Sequence, residues 1–492
     1  MALPVALYST AQVRAIDAHS INELGVPGYT LMKRAGEAAL RYLRTRWPTA
    51  HRIVIVCGSG NNGGDGYVLA RFAHASGLTL TVLAAAEPSE LRGDARQAYE
   101  DFRAGGGGVK PFSPELLASG DVIVDAILGT GFKGKVREHL VPVIQAVNSC
   151  GIPVFALDVP SGLDSDAGTA AGEAIRAEAT VTFVGLKTGL FVGDGPEHAG
   201  TVFFDDLELA DTPQLGLAPR LTRIVEAEIH TALPRRPRAS NKGDFGRVLI
   251  VGSGCGMPGA ARLAGEASLR VGAGLVTVAV APENVMAIAA GRPELICLGV
   301  KEEGELADAL SRADVVAVGP GLGRSDWSHA ALNAVLRSGK PLVVDADALN
   351  LLAEGTPTAR EDWILTPHPG EAGRLLGTDA KEIQQDRLAA LDRLLDRWHG
   401  TMVLKGAGTL VGAAGRTPGL CERGNPGMAT AGTGDVLTGT IAGILAQCAD
   451  PWAAARAGVL VHAMAGDAAA RGGERGVLAS DLLRELPHCV NL

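Results

Sequence analysis

The chain has 492 residues, 47% of them hydrophobic, and a formal net charge of −9. That length calls for more than one domain, and the apolar fraction supports sizeable cores. The acidic balance argues against general nucleic-acid binding, which needs a basic face, and no run of about 18 apolar residues marks a membrane span.

The start, "MALPVALYSTAQVRAID", lacks the basic region of a signal peptide. Residues 10–47 read as helical, with "TAQVRAIDAHSINEL" and "TLMKRAGEAALRYL" both amphipathic. Apolar runs then predict strands at 53–57, 79–84, 122–127, 153–157, 179–184 and 201–204, the first several separated by helical stretches. Such alternation predicts a mostly parallel sheet covered on both faces. Residues 211–244 carry four prolines and few long apolar runs, which places a domain join near 211–235. The expected division is a first domain at 1–212, a linker at 213–235 and a second domain at 236–492. The second alternating series opens at "RVLIVGSG" (247–254) and runs through "GLVTVAV", "VVAVGPGLG", "PLVVDADAL", "WILTPHPGE" and "TMVLKGAGTLVG". It ends in helices starting at "ATAGTGDVLTGTIAGILA" and "AARAGVLVHAMAGDAAA". Seven cysteines without C-x-x-C spacing read as reduced core residues, which makes the cytoplasm the expected compartment.

In "IVIVCGSGNNGGDGYVLARFA" (53–73), Gly58, Gly60 and Gly63 satisfy G-x-G-x-x-G. Glycines let the backbone approach a ligand, and a following helix N-terminus offers N–H groups to a phosphate. Asn61 to Asp65, ahead of a helix at 67–75, therefore reads as a phosphate cradle. The plainer reading is a strand–helix turn with asparagines in left-handed conformation. A dehydrogenase reading would use Glu87, after the second strand, on a ribose. G-x-G-x-x-G alone is weak, since "GCGMPG" (254–259) fits it too. Two further strand-end loops add weight: "VDAILGTGFKGKV" carries Asp125, and "ALDVPSGLDSDAG" carries Asp158 and Ser161. Ligands of open parallel sheets sit outside the carboxyl ends of strands. Asn62, Asp125, Asp158 and Ser161 could converge there as a hard oxygen site for a cation.

"GSGNNGGDGYVLAR", "VDAILGTGFKG" and "LDVPSGLDSDAG" together resemble the signature loops of NAD(P)HX epimerase domains, over roughly residues 8–210. The resemblance implies a Rossmann-like αβα sandwich. It implies that Asn61, Asn62, Gly63, Gly64 and Asp65 contact a hydrated dinucleotide, as do Gly129, Thr130, Gly131, Phe132, Lys133, Gly134, Lys135 and Asp158. It also implies that Asn62, Asp125 and Ser161 hold a potassium ion. Inversion at C6 of the hydrated ring needs proton transfer or reversible ring chemistry. Asp158 is the candidate acid–base group, with Lys135 a weaker one.

The strongest segment is "NPGMATAGTGDVLTGTIAGILAQ" (425–447), where Gly432, Gly434 and Gly439 flank Asp435 at a helix start. Glycine N–H groups there form an anion hole, and an adjacent aspartate can orient an attacking hydroxyl. Phosphoryl transfer depends on positioning and charge neutralisation, so this aspartate needs no raised pKa. A bare helix cap would need the acid but not the glycines. Lys405 and Thr409 in "VLKGAGTLVG" can meet phosphates, and the proline-fixed loop "LTPHPGE" presents His368, flanked by two prolines, and Glu371. No G-x-x-x-x-G-K-[ST] is present, which excludes a P-loop ATPase.

"KGDFG", "GPGLG", "DADAL", "LTPHPGE", "LKGAGT" and "AGTGDVLTG" resemble, in order, the ribokinase-like fold and within it the ADP- or ATP-dependent NAD(P)HX dehydratases, over about 236–490. Ala431 stands where many members have glycine. The resemblance implies that Ala260, Gly321, His368 and Asp435 contact the hydrated dinucleotide. It implies adenine-nucleotide contacts from Lys405, Gly406, Ala407, Gly408, Thr409 and Gly434, with magnesium accompanying the nucleotide and ADP the expected donor. The fold class expected is α/β in two domains. The partners expected are a dinucleotide, an adenine nucleotide and further copies of the chain in a homo-oligomer. Two other readings stand beside this one: a small-molecule kinase acting on a vitamin or sugar, and a first half that only senses nucleotide.

Overall fold

The computed structural model describes residues 3–209, 216–355 and 360–491. The chain divides into two units, Met1–Leu221 and Thr222–Leu492. In the first, the strands are β1 (Ala6–Tyr8), β2 (Arg52–Cys57), β3 (Thr79–Ala84), β4 (Val109–Pro111), β5 (Val122–Ala126), β6 (Val154–Leu157), β7 (Ala179–Phe183), β8 (Leu186–Lys187) and β9 (Thr201–Asp205). Seven of them form one parallel sheet in the order β4-β3-β2-β5-β6-β7-β9. Side chains alternate between two apolar clusters: Ile53, Ile55 and Val124 on one face, Val54, Val56 and Ile123 on the other. Both faces are therefore covered, as an all-parallel sheet requires. From β2 the chain builds β3 and β4 on one side, then returns to add β5, β6 and β7 on the other. The connections onward from β2 and β5 run to opposite ends of the sheet, and a crevice opens at this switch point.

β1 and β8 pair in parallel outside that sheet, Leu7 with Leu186 and Tyr8 with Lys187. Neither belongs to the expected set, because strands of two or three residues carry no legible apolar run. The predicted helical stretch 10–47 is two helices, Thr10–Asn22 and Gly28–Arg46.

The second unit carries β10 (Leu221–Arg223, starting at the boundary), β11 (Arg247–Val251), β12 (Leu275–Val280), β13 (Ile296–Gly299), β14 (Val315–Val318), β15 (Leu342–Val344), β16 (Trp363–Leu365), β17 (Thr401–Leu404), β18 (Thr409–Ala413) and β19 (Gly419–Cys421). They run in the order β13-β12-β11-β14-β15-β16-β17-β18-β19-β10. All neighbours from β13 to β17 are parallel. β17, β18 and β19 form an antiparallel meander. The order again reverses between β11 and β14, which makes a second switch point.

The stretch read as a linker, 213–235, begins outside the described residues at 213–215. Its later part holds β10 and the helix Ala227–Ala232. β10 pairs in parallel with β19. The buried Arg456 donates to Glu228 at 2.8 Å and to Thr222 at 3.3 Å. The prolines conceal a short strand that tertiary pairing alone stabilises.

The helix Thr433–Cys448 packs on Pro258–Arg270 and Pro451–Ala469. A Cβ at Gly439 would lie 1.9 Å from the Ala264 carbonyl oxygen. Gly439 thus serves helix packing, not the anion hole expected of it. Gly439→Ala is expected to destabilise the second unit by about 1–3 kcal/mol, read as a lower urea midpoint for its unfolding. An unchanged midpoint would mean that the two helices part at no cost.

Candidate active sites

A cavity of about 660 Å³ opens at the first switch point. The helix behind it, Asn61–Ala75, starts at Asn61 and not at 67 as its sequence suggests. The asparagines are therefore its first turn, and their N–H groups point out of a helix N-terminus. A Cβ at Gly58 would lie 2.0 Å from the Ile127 carbonyl oxygen, so only glycine lets the β2 and β5 loops meet. Asn61, Asn62 and Asp65 line the cavity, together with Gly129, Thr130, Gly131, Phe132, Lys133 and Lys135. Gly63, Gly64 and Gly134 are not among the lining residues. Gly63 lies against the Gly58 carbonyl, and Gly64 against Met32 and Ala95, so both are packing positions here.

Asp125, Ser161 and Asn62 converge below the β5 loop. Asp125 is 1% exposed. It accepts from Ser161 Oγ at 2.6 Å, Ser161 N at 2.8 Å and Ile127 N at 3.1 Å. Burial pushes its carboxyl up to about 6, against these hydrogen bonds. Asn62 Nδ2 donates to Leu128 O at 2.8 Å, and Leu128 N donates to Ser161 Oγ at 2.8 Å. Asn62 Oδ1 is buried with no hydrogen-bond partner among the described residues. An orphaned amide oxygen, a buried carboxylate and a hydroxyl gathered at one carbonyl fit a hard monovalent cation. No cluster of three His, Cys, Asp or Glu side chains suited to a metal occurs among the described residues.

Asp158 stands apart from that triad. Its φ is +63°, a left-handed conformation that a non-glycine residue adopts only under constraint. Its Oδ1 accepts from Lys187 Nζ at 2.5 Å and from Thr182 Oγ1 at 3.3 Å. Its Oδ2 lies 3.5 Å from Thr130 N. Asp65 and Asp17 share this cavity wall. Burial drives the Asp65 carboxyl well above the carboxylate range, reinforced by Asp158 and Asp17 and opposed by Lys187. Burial likewise pushes Asp17 up to about 6. Asp17 and Lys187 were not among the expected site residues. Lys187 carried a legible signal, a lone charge in "FVGLKTGLF" directly after a strand.

At the second switch point the loops after β11 and β14 are joined: Gly254 N donates to Gly321 O at 2.7 Å, and Ser253 N to Pro320 O at 2.9 Å. A Cβ at Gly321 would lie 2.9 Å from Ala260 Cβ, so these two predicted ligand contacts are neighbours. Beyond them sits a charged knot. Asp345, at the end of β15, is 1% exposed. Lys405, at the end of β17, donates to its Oδ1 at 2.7 Å, and Thr438 Oγ1 donates to its Oδ2 at 2.6 Å. Burial opposes Asp345 ionisation, but Lys405 and the hydroxyl donors outweigh it and hold the carboxyl below its ordinary value. Glu371 Oε2 lies 3.7 Å from Lys405 Nζ. Burial pushes Glu371 up to about 7, with Lys405 opposing and Asp345 adding to the shift. Lys405 Nζ also lies 3.7 Å from where a Gly434 Cβ would stand, so the ammonium borders the helix N-terminus.

Asp435 occupies the first turn of that helix, whose cap is Gly432 with no side-chain bond, so it is not a cap. Burial pushes it up to about 7, with Asp345 and Asp347 adding and Lys405 opposing. The sequence called for no raised pKa here; the structure supplies one through an acidic neighbourhood formed by other strand ends. His368 caps the helix Pro369–Leu376, its Nδ1 accepting from Gly370 N at 3.0 Å. Burial and Lys405 lower its pKa, so its ring is neutral near pH 7. Thr409 Oγ1 closes the β17–β18 turn onto Gly406 O at 2.9 Å. Asp345 lay within "DADAL" but was read only as part of a rim; Thr438 gave no signal.

Two sites at strand ends, each pairing a lysine with an aspartate, define a two-unit α/β enzyme. Its second half is ribokinase-like. It matches a ribokinase-like superfamily protein from Enterococcus faecalis at 32% identity and TM-score 0.52, covering 56% of this chain and 96% of that one. A protein of Streptococcus mutans matches with TM-score 0.51, also at 32% identity, covering 55% and 98%. Residues 28–189 match the family model for YjeF-related protein N-terminus, and 248–488 that for NAD(P)H-hydrate dehydratase. The chain is 47% identical to a bifunctional NAD(P)H-hydrate repair enzyme of Coxiella burnetii over 99% of both chains. It is 43% identical to that of Escherichia coli, over 100% of this chain and 95% of the other. The chain belongs to the bifunctional NAD(P)H-hydrate repair enzyme family.

Lys405→Met would leave Asp345 and Glu371 buried without their cation. The expected cost is about 3–5 kcal/mol, read as a lower urea midpoint for the second unit. A midpoint within about 0.5 kcal/mol of wild type would show that Lys405 is not what compensates these acids.

Proposed function

We propose that this chain repairs hydrated nicotinamide cofactors in two steps, inverting R-NAD(P)HX to S-NAD(P)HX in the first unit and dehydrating the S epimer in the second. The observation that carries this reading is the presence, on one chain, of an acid-lined dinucleotide-sized cavity and a separate aspartate at a helix N-terminus beside a lysine paired to a buried carboxylate.

In the first unit the N–H groups of the Asn61 turn and the 129–135 loop receive the phosphates. C6 of the hydrated ring is a cyclic hemiaminal carbon. A proton donated to its hydroxyl lets water leave while the N1 electron pair forms the N1=C6 bond. Water then adds to the opposite face, and a carboxylate takes the released proton. Asp158 is the residue assigned to this proton traffic. A potassium ion on Asn62, Asp125 and Ser161 supplies a fixed positive charge under the β5 loop.

In the second unit Asp435 takes the proton of the C6 hydroxyl, whose oxygen attacks the terminal phosphorus of the nucleotide. The bridging P–O bond breaks, and from ADP the leaving group is AMP. Phosphate then leaves C6 as a proton leaves C5, which restores the C5=C6 double bond of the dihydropyridine. Gly434 N–H and Lys405 lie where the transferred phosphoryl charge needs neutralising. ADP is the donor assigned, with magnesium accompanying it and Lys405 to Thr409 holding it. Ala260, Gly321 and His368 contact the ring-bearing dinucleotide.

The decisive experiment adds the chain to mixed R- and S-NADHX with magnesium, potassium and either ADP or ATP, and follows the reduced-nicotinamide absorbance. Full recovery is expected with ADP. Recovery limited to the S fraction would remove the epimerase assignment, and no recovery with either nucleotide would favour a small-molecule kinase. Dehydration is expected to accelerate as pH rises through about 7, since only ionised Asp435 accepts the proton. Asp435→Asn is expected to lower kcat by about 10²–10⁴-fold; a variant with wild-type kcat would exclude that role. Potassium is expected to raise the unfolding temperature of the wild type and to leave that of Asp125→Asn unchanged, whereas equal shifts in both would move the cation elsewhere.

A further inference from the structure

Lys187 has the strongest unassigned position in the first unit. Its side chain is 2% exposed, yet it lines the cavity wall. An ammonium buried this deeply needs compensation, and it has two partners: Asp158 Oδ1 at 2.5 Å and Phe183 O at 2.7 Å. It stands on β8, whose register sets it opposite Tyr8 of β1. β1 leads directly into the helix Thr10–Asn22, which brings Asp17 to the same wall. One cation therefore sits among three carboxylates, those of Asp158, Asp17 and Asp65.

The two oxygens of Asp158 are treated unequally. Oδ1 is taken by Lys187 and Thr182, while among the described residues Oδ2 has only the long contact to the backbone of Thr130 on the lining loop. The backbone of Asp158 is itself held at φ +63°. A carboxylate on such a strained corner keeps one orientation only if a neighbour holds it. The geometry points to Lys187 as the positioning residue of the epimerase site, pinning Oδ1 of Asp158 and leaving Oδ2 for the C6 hydroxyl. This inference rests on the epimerase reading given above. A lysine present for stability alone would be a poor choice, because apolar replacements of buried ion pairs are often neutral or stabilising.

The test uses the full chain and R-NADHX. K187M is expected to lower kcat for inversion by about a hundredfold while KM stays within about threefold. K187R, which keeps the charge, is expected to recover most of that loss. Dehydration of S-NADHX by the same preparations should remain at the wild-type rate. D158N/K187M leaves neither charge of the pair buried alone, so it also covers the case in which K187M does not fold. Its kcat is expected to match that of D158N, since the lysine acts only through the aspartate. The inference is overturned if K187M keeps kcat within about threefold, if KM rises in step with the loss, or if D158N/K187M is much slower than D158N. Absence of inversion in the wild type would overturn the epimerase reading itself; an active wild type with an unaffected K187M would overturn this inference alone.

Discussion

A lysine taken out of water needs a counter-charge, and at the carboxyl end of each sheet stands one so held: Lys187, buried, and Lys405, largely enclosed. Lys187 is held by Asp158 and Lys405 by Asp345, at 2.5 and 2.7 Å. Each pair satisfies itself and leaves neighbouring acids short of positive charge. Asp17, Asp65, Glu371 and Asp435 are all pushed upward by burial, while the neighbouring lysine pulls each of them down. A carboxyl that titrates near neutrality can both give and take a proton at working pH, which an ordinary carboxylate cannot. Burial thus raises these acids, and the lysine of each ion pair limits how far.

The parallel sheets decide where those pairs stand. Reversal of strand order between β2 and β5, and again between β11 and β14, opens one crevice per unit. Non-glycine residues in left-handed conformation mark the strand ends there: Asp158 after β6, Ser253 after β11 and Ala346 after β15. The strain is local and is carried by well-packed surroundings. Ser253, for instance, is fully buried and its Oγ accepts from Ala261 N at 2.9 Å. Strained corners of this kind aim side chains across a crevice instead of along a strand.

Glycine divides between two duties that look alike in sequence. Gly58 allows two strand-end loops to touch, and Gly434 stands at a helix N-terminus beside the Lys405 ammonium. Gly63, Gly64 and Gly439 instead allow backbones or helices to pack at distances no Cβ permits.

The sequence by itself determined the two α/β units, the strand-end loops and most of the acids, because apolar runs of four to six residues and strand–glycine–helix turns are local signals. Asp125, Asp158 and Ser161 were legible at the ends of buried strands, and Asp435 at a glycine-rich helix start. β1, β8 and β10 were not, since two- and three-residue strands owe their existence to partners far along the chain. Only the tertiary structure placed Lys187 on Asp158, drew Asp17 in from an N-terminal helix, and raised Asp435 through Asp345 and Asp347. Those effects depend on burial and on charges brought close from other elements, and neither distance nor desolvation is written in local order along the chain.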